Sequence, residues 1–187
     1  TSTFVQSISR DMRVLDKEFE VYISAHEIDS IVTRIASELN QDFKDRIPYF
    51  LVMMNGAFMF ASDLLRKVSL SSNLAFVKYT SYEGLQSSGK VTSEMGIPKD
   101  VENRDVVIIE DIVDTGLTMQ AFMNDLKQFH PKSVSIVSFL TKPDKLECDI
   151  KVHYIGKAIE NRFVVGYGLD YDGEGRGLGD LYILKER

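Results

Sequence analysis

The sequence of 187 residues contains one cysteine, Cys148, three histidines and no tryptophan. A single cysteine excludes an internal disulfide and fits a reducing compartment such as the cytoplasm. His26, His130 and His153 are scattered without metal-ligand spacing, so a zinc site is not expected. The sequence also lacks a nucleophile-elbow motif and a Cys–His signature, which argues against covalent catalysis.

No hydrophobic run is long enough to span a membrane, and no secretory signal is recognisable. The sequence shows neither an internal repeat nor a low-complexity tail. A net charge of -6 makes the chain a poor electrostatic match for nucleic acid. With 44% hydrophobic residues over 187 positions, the sequence predicts one globular domain with a sizeable core.

What is present is an alternation of strand and helix patterns, which is typical of βαβ units and a mostly parallel sheet. The capping box Ser24–Glu27 predicts the start of the first amphipathic helix, and His130-Pro131 predicts the end of the last. From Val152 onward, short strand patterns predict a small subdomain, built with the N-terminal residues over one sheet edge. The predicted strands are 49–54, 74–80, 106–110 and 134–140, and the predicted helices are 28–39, 57–68 and 119–129.

The most informative segment runs from Val106 to Thr118 and reads VVIIEDIVDTGLT. Its apolar start predicts a buried strand of a parallel sheet, which ends in the carboxylates of Glu110 and Asp111. A third carboxylate, Asp114, precedes a Thr-Gly-Leu-Thr turn into a helix. Ligands of such sheets bind beyond the carboxyl ends of strands, and a helix N-terminus favours an anion. The segment therefore predicts a site for a phosphorylated sugar whose hydroxyls or metal ion meet the carboxylates.

This segment resembles the signature of phosphoribosyltransferases that use 5-phosphoribosyl 1-pyrophosphate. Over nearly its whole length, the chain is similar to the hypoxanthine(-guanine) phosphoribosyltransferase family. Further matching segments are Val52–Ala61 after a strand, the pair Ser81-Tyr82, the strand end Leu140–Pro143 and the block Phe163–Tyr171.

The resemblance implies a type I phosphoribosyltransferase fold. This is an α/β fold with a mostly parallel twisted sheet, flanked by helices, and a small hood subdomain. The implied core covers about 25–142, the hood about 1–24 and 150–187, and a mobile loop about 81–104. The glycine- and serine-containing loop is expected to act as a lid that excludes water, because long loops in compact domains are commonly functional. The alternative is that the loop of about 81–104 is an exposed insertion without a function of its own.

The resemblance also implies a role for each candidate residue. Asp114 is the expected catalytic base, which accepts a proton at purine N7. The phosphoribosyl group is expected at Glu110, Asp111, Asp114, Thr115, Gly116, Leu117 and Thr118, and pyrophosphate at Asn55, Gly56 and Arg176. The purine is expected at Lys142, Phe163, Val164 and Asp170, Mg²⁺ at Glu110, Asp111 and Asp170, and the lid at Ser81 and Tyr82.

One position departs from the family pattern. The pyrophosphate loop usually carries a lysine before its glycine, whereas Asn55 precedes Gly56 here. Backbone N–H donors remain, so we expect weaker or rearranged pyrophosphate binding. Family members often have a non-proline cis peptide at this place, which corresponds to Met54–Asn55.

The expected activity is Mg²⁺-dependent transfer of phosphoribose to N9 of hypoxanthine, and of guanine, in purine salvage. The expected partners are the donor and an oxo-purine, with neither nucleic acid nor membrane, in a homo-oligomer (dimer or tetramer) in the cytoplasm. Two other classes stay open: a regulator that binds the donor without catalysis, and a receiver-like signalling domain. Without the resemblance, Lys142 would be read as a solvated surface residue and Asp114 as an acid that stabilises a helix dipole.

Overall fold

The computed structural model describes residues 11–79 and 95–185, which form two β-sheets and three α-helices. The helices are α1 Ala25–Asp42, α2 Phe58–Lys67 and α3 Leu117–Lys127. The strands are β1 Met12–Val14, β2 Lys17–Ile23, β3 Tyr49–Met53, β4 Asn73–Val77, β5 Asp105–Val113, β6 Ser133–Thr141, β7 Tyr154–Ala158, β8 Val164–Val165 and β9 Leu181–Leu184. Among these described residues, no helix is both long and apolar enough to cross a membrane.

The larger sheet has five strands in the order β4-β3-β5-β6-β7, and every neighbouring pair is parallel. The chain runs outward from β3 to β4 and then returns past β3 to β5, where the strand order reverses. Such a switch point leaves a crevice beyond the carboxyl ends of the two central strands. The predicted parallel α/β sheet is therefore confirmed, and its topology places the crevice beside the ends of β3 and β5.

The core explains why these segments are strands. All five residues of β3 are buried, as are the first five residues of β5. Strands covered on both faces need continuous apolar runs, which is what both sequences provide. The ladder aligns Val106–Ile109 of β5 with Tyr49–Val52 of β3, and this register sets the position of the carboxylates that follow.

Helix α1 begins where the capping box predicted. The side chain of Ser24 accepts a hydrogen bond from the backbone N–H of Glu27 at 3.3 Å. The N–H of Ala25 donates to Asp180 at 2.6 Å, so an acid from the C-terminal segment also meets the positive end of this helix. The helix buries Ile28, Val32, Ile35, Ala36 and Leu39, which repeat at helical spacing.

The second sheet has four antiparallel strands in the order β1-β2-β9-β8, so it combines N- and C-terminal residues. We call this sheet, with residues 166–180 between β8 and β9, the hood. The C-terminal boundary differs from the expected 150, because β7 pairs in parallel with β6 and belongs to the larger sheet. The hood sheet therefore takes its C-terminal strands only from Val164 onward.

The central strand β5 is also longer than predicted. The sequence pattern ended the strand at Glu110, where the apolar run stops. In the structure, Ile112 and Val113 continue the ladder opposite Leu140 and Thr141 of β6. Glu110 and Asp111 therefore lie inside the strand, held by its backbone hydrogen bonds, and the turn that follows begins at Asp114.

Candidate active site

The turn between β5 and α3 has the geometry of an anion cradle. Gly116 has a left-handed backbone conformation with φ of 82°, and α3 begins at the next residue, Leu117. The N–H of Leu117 approaches the hydroxyl of Thr115 at 3.4 Å. The turn thus places the N-terminus of α3, with Thr118 in its first turn, directly after the end of β5.

Glu110 and Asp111 form a close acidic pair at this end of the sheet. The N–H of Asp111 donates to Glu110 at 3.1 Å, and the N–H of Ile112 donates to Asp111 at 2.7 Å. Burial raises the pKa of Glu110 well above its usual range, and the neighbouring carboxyl of Asp111 raises it further. Burial also raises the pKa of Asp111, although hydrogen bonds from Glu110 and Ile112 and the charge of Arg176 oppose the rise. A neighbouring cation or hydroxyl donors would favour the ionised form of the pair, which burial disfavours.

Asp114 lies between two lysines. Its Oδ2 atom is 3.0 Å from the ammonium of Lys145 and 3.3 Å from that of Lys142. Its Oδ1 atom is buried and has no hydrogen-bond partner among the described residues. Lys142 is itself buried, with 7% of its surface exposed, at the end of β6. The structure therefore brings these two predicted residues together, and Lys142 is not a solvated surface lysine.

The predicted pyrophosphate residues converge on the other side of the acidic pair. The Met54–Asn55 peptide is cis, as the resemblance implied. A Cβ atom on the next residue, Gly56, would lie 1.5 Å from a carboxylate oxygen of Asp111, so only glycine allows this approach. Arg176 extends the cluster, because its charge reaches Asp111 and its guanidinium forms an ion pair with Asp170 at 2.7 Å.

A backbone contact connects the hood with this loop. A Cβ atom on Gly168 would lie 2.0 Å from the carbonyl oxygen of Gly56. The carbonyl of Gly168 accepts a hydrogen bond from Arg176 at 2.7 Å, and its N–H donates to the carbonyl of Arg176 at 2.9 Å. The hood turn that carries Arg176 therefore rests directly on the loop after β3.

Two predicted purine residues lie on the hood. Phe163 is 42% exposed, and its ring lies 5.6 Å from that of Tyr171 and 6.2 Å from that of Phe19. The next residue, Val164, is buried and pairs with Ile183 of β9. Phe163 is therefore partly exposed, with the ammonium of Lys17 5.7 Å from the centre of its ring, while the neighbouring backbone is fixed by the hood sheet.

Three predicted site residues remain: Asp170, Ser81 and Tyr82. Asp170 was expected near the purine and near a metal ion, and the structure places its carboxylate against Arg176 and the N–H of Gly173, the latter at 2.8 Å. The expected lid residues Ser81 and Tyr82 lie outside the described residues.

The pair of carboxylates at Glu110 and Asp111 matches the number of carboxylate ligands that Mg²⁺ usually takes. In the part of the chain that the structure describes, no group of three or more acidic, histidine or cysteine side chains is arranged to hold a metal. Mg²⁺ is usually bound by only one or two carboxylates together with substrate phosphates and water. Glu110 and Asp111, whose ionised forms burial disfavours, are such a pair.

Sequence reasoning missed the segment that follows Lys142. Pro143–Lys145 forms a 3₁₀ turn, which brings Lys145 back to the same face as Lys142 because side chains three residues apart align in this helix type. The N–H of Glu147 then donates to the carbonyl of Thr115 at 2.9 Å. The sulfur of Cys148 packs where a side chain on Gly116 would lie, 2.8 Å from that Cβ position. The Lys-Pro-x-Lys spacing of residues 142–145 could have indicated that the two lysines lie on the same face.

Comparison with known proteins agrees with this geometry. The family model described as phosphoribosyl transferase domain matches residues 23–172. A hypoxanthine-guanine-xanthine phosphoribosyltransferase of Tritrichomonas foetus is 31% identical over 174 residues, which are 92% of this chain and 95% of that protein. A hypoxanthine-guanine phosphoribosyltransferase of Staphylococcus aureus is 35% identical over 153 residues, 81% of this chain and 86% of that protein.

The fold is shared with solved structures as well. The crystal structure of a hypoxanthine phosphoribosyltransferase from Staphylococcus aureus superposes with a TM-score of 0.82 at 34% identity, covering 89% of this chain and 91% of that one.

The contact between the hood and the loop after β3 can be tested with two glycines. Gly168 and Gly173 both have positive φ, but only Gly168 has backbone within reach of an added Cβ atom. Gly173→Ala measures the conformational cost alone, whereas Gly168→Ala adds the clash with Gly56. We expect Gly168→Ala to lose about 1–3 kcal/mol more of the free energy of unfolding, as overpacked sites do. Urea unfolding of both variants is the measurement, and equal losses would show that the contact is not close.

Proposed function

Because the chain belongs to the phosphoribosyl transferase domain family, and within it to the hypoxanthine-guanine phosphoribosyltransferases, we propose that it transfers phosphoribose from 5-phosphoribosyl 1-pyrophosphate to N9 of hypoxanthine and guanine. The observation that carries the proposal is the Asp114 carboxylate: two lysines hold one oxygen, and the other is buried with no hydrogen-bond partner within residues 11–79 and 95–185. A purine with an N–H group could supply that missing partner.

The donor is proposed to bind along the end of β5. Its 5′-phosphate would take the N–H groups and hydroxyls of the Thr115–Thr118 turn, which is supported by the helix start at Leu117. The ribose hydroxyls would donate to Glu110 and Asp111, whose ionised forms burial disfavours. This arrangement would hold the anomeric carbon near Asp114.

The leaving group is proposed to lie against the loop after β3. Gly56 and Asn55 offer backbone close to Asp111, and Arg176 supplies a guanidinium for the pyrophosphate. Arg176 already pairs with Asp170, so the carboxylate of Asp170 would orient it. Asn55 adds no cation of its own, so pyrophosphate binding is expected to be weaker or rearranged relative to a loop with lysine.

Mg²⁺ is proposed to be held by Glu110 and Asp111, with Asp170 as a further candidate ligand. When bound, it would neutralise the charge that develops on the pyrophosphate. The support is chemical, because an acidic pair with raised pKa values gains most from a neighbouring cation.

The purine is proposed to lie between the end of β6 and the hood. The ammonium of Lys142 would donate to the 6-oxo group, and the partly exposed ring of Phe163 would stack on the base beside the backbone of Val164. In the reaction, N9 forms a bond to the anomeric carbon while the bond from that carbon to the pyrophosphate oxygen breaks. The purine proton at N7 would pass to Oδ1 of Asp114.

The assay that tests this proposal mixes the protein, Mg²⁺ and the donor with hypoxanthine, guanine or xanthine in parallel and follows the nucleoside monophosphates. We expect product from hypoxanthine and guanine, and none after chelation of the metal. Donor binding without product from any base would instead support the runner-up, a regulator with this fold. The rates with the three bases also rank the specificity of the protein. Xanthine is included because the T. foetus relative is named for it as well.

Asp114→Asn preserves the shape of the side chain and removes the base. We expect the catalytic rate to fall by roughly 10²–10⁴-fold, the usual contribution of a general base. Donor affinity should change little, because the neighbouring turn and acids are intact. Steady-state rates and calorimetric titration of the donor measure the two effects, and an unchanged rate would show that Asp114 only positions its neighbours.

Lys142→Met keeps the volume of the buried stem and removes the ammonium. We expect the KM for the purine to rise by about 10–100-fold, since a hydrogen bond from a charged donor contributes roughly 1.5–3 kcal/mol. The KM for the donor should stay close to that of the wild type. Lys151→Met is the matched control, because Lys151 is exposed on the same connection. A purine KM equal to that of the control would remove Lys142 from the base site.

We further propose a homo-oligomer located in the cytoplasm. Leu74 and Phe76 of the edge strand β4 are 46% and 48% exposed on one face of the strand, which suits burial against a second copy. The lone cysteine fits a reducing compartment. Light scattering after size exclusion decides the first point, and a monomeric mass would contradict it.

A further inference from the structure

Lys145 was not expected to take part in the site, yet it is the nearer of the two lysines to Asp114. Its ammonium lies 3.0 Å from Oδ2, against 3.3 Å for Lys142. Its side chain is 38% exposed, while that of Lys142 is almost fully buried. One carboxylate oxygen therefore has two ammonium partners, and the two partners sit in different environments.

The two lysines cannot be equivalent once a purine is bound. In the proposed reaction, the ammonium of Lys142 turns to the 6-oxo group of the base, which draws at least one of its N–H groups away from Asp114. Lys145, which the base does not need as a donor in this scheme, remains beside Oδ2. It is then the partner that keeps this oxygen fixed while Oδ1 meets the proton at N7.

The backbone around Lys145 is rigid relative to Asp114. The N–H of Lys145 donates to the carbonyl of Lys142 at 3.0 Å, which closes the 3₁₀ turn at the end of β6. Two residues later, the N–H of Glu147 donates to the carbonyl of Thr115, the residue after Asp114. Lys145 is thus held at both ends to the segments that carry its two neighbours in the site.

We propose that Lys145 is a positioning residue: it holds Oδ2 of Asp114 so that Oδ1 faces the purine. This role rests on the proposed function, in which Asp114 is the base. Lys145 touches no reacting atom in this scheme. Its contribution is to the orientation of the carboxylate, and small errors in the placement of a base lower the rate strongly.

The test compares Lys145→Gln, Lys145→Arg and the control Lys151→Gln in the purine assay. Lys145→Gln should lower kcat by about 10–100-fold, the scale of a misplaced catalytic group. The KM values for purine and donor should stay within roughly threefold, and Lys145→Arg should restore most of kcat, since it keeps the charge. Urea unfolding should give all three variants the midpoint of the wild type, since Lys145 is partly exposed at the surface.

A double variant separates an action through Asp114 from any other. If Lys145 acts only by orienting this carboxylate, Asp114→Asn combined with Lys145→Gln should be no slower than Asp114→Asn alone. Additive losses would overturn the proposal, and so would a purine KM that rises at constant kcat, which would make Lys145 a binding residue.

The activity of the wild type distinguishes a failure of the role proposed for Lys145 from a failure of the proposed function. An active wild type with an unaffected Lys145→Gln variant would refute the role of Lys145 and leave the proposed function standing. A wild type that forms no nucleotide from any purine would refute the proposed function, and the role of Lys145 with it.

Discussion

The burial of strand β5 between β3 and β6 is the constraint on which the site depends. The ladders with β3 and β6 align this buried run with theirs, and that register carries Glu110 and Asp111 to the crevice where the strand order reverses. The turn after β5 then has to reach α3 within a few residues, which places Asp114 beside the end of β6. The lysines from β6 meet it there, so the sheet order itself assembles the acid and its partners.

Placing Glu110 and Asp111 at this buried strand end lowers the stability of the folded protein. Burial and mutual repulsion raise the pKa of Glu110, so the ionised pair is unfavourable in the free protein. A raised pKa means that the carboxyl gives up folding free energy as the pH rises past its unfolded value, because the folded state favours the protonated form. Such a cost is common where a site is organised for a ligand that is not yet present. Ribose hydroxyls and a cation are the groups that would remove it.

Local patterns predicted the parts of the fold that are local. The apolar run before Glu110 and the cap at Ser24 reflect burial and backbone chemistry within a few residues, and both were confirmed. The end of β5 and the membership of β7 depend on pairing with β6, which no local pattern reports. Lys145 was missed for the same reason, since a lysine is ordinary until the strand ends bring it to Asp114. The cis peptide at Met54–Asn55 was expected only from the resemblance.

The hood and the loop after β3 are in contact at glycines, where a side chain would clash. Gly168 of the hood rests on the carbonyl of Gly56, and Gly56 in turn lies against Asp111. Arg176 is tied to the same turn by hydrogen bonds with Gly168 in both directions. The contact between Gly168 and Gly56 is backbone to backbone, and the guanidinium of Arg176 donates to the carbonyl of the same Gly168, which holds this cation near the acidic pair. The positive charge that acts on Asp111 therefore comes from the hood, while the loop after β3 carries the uncharged Asn55 beside Gly56.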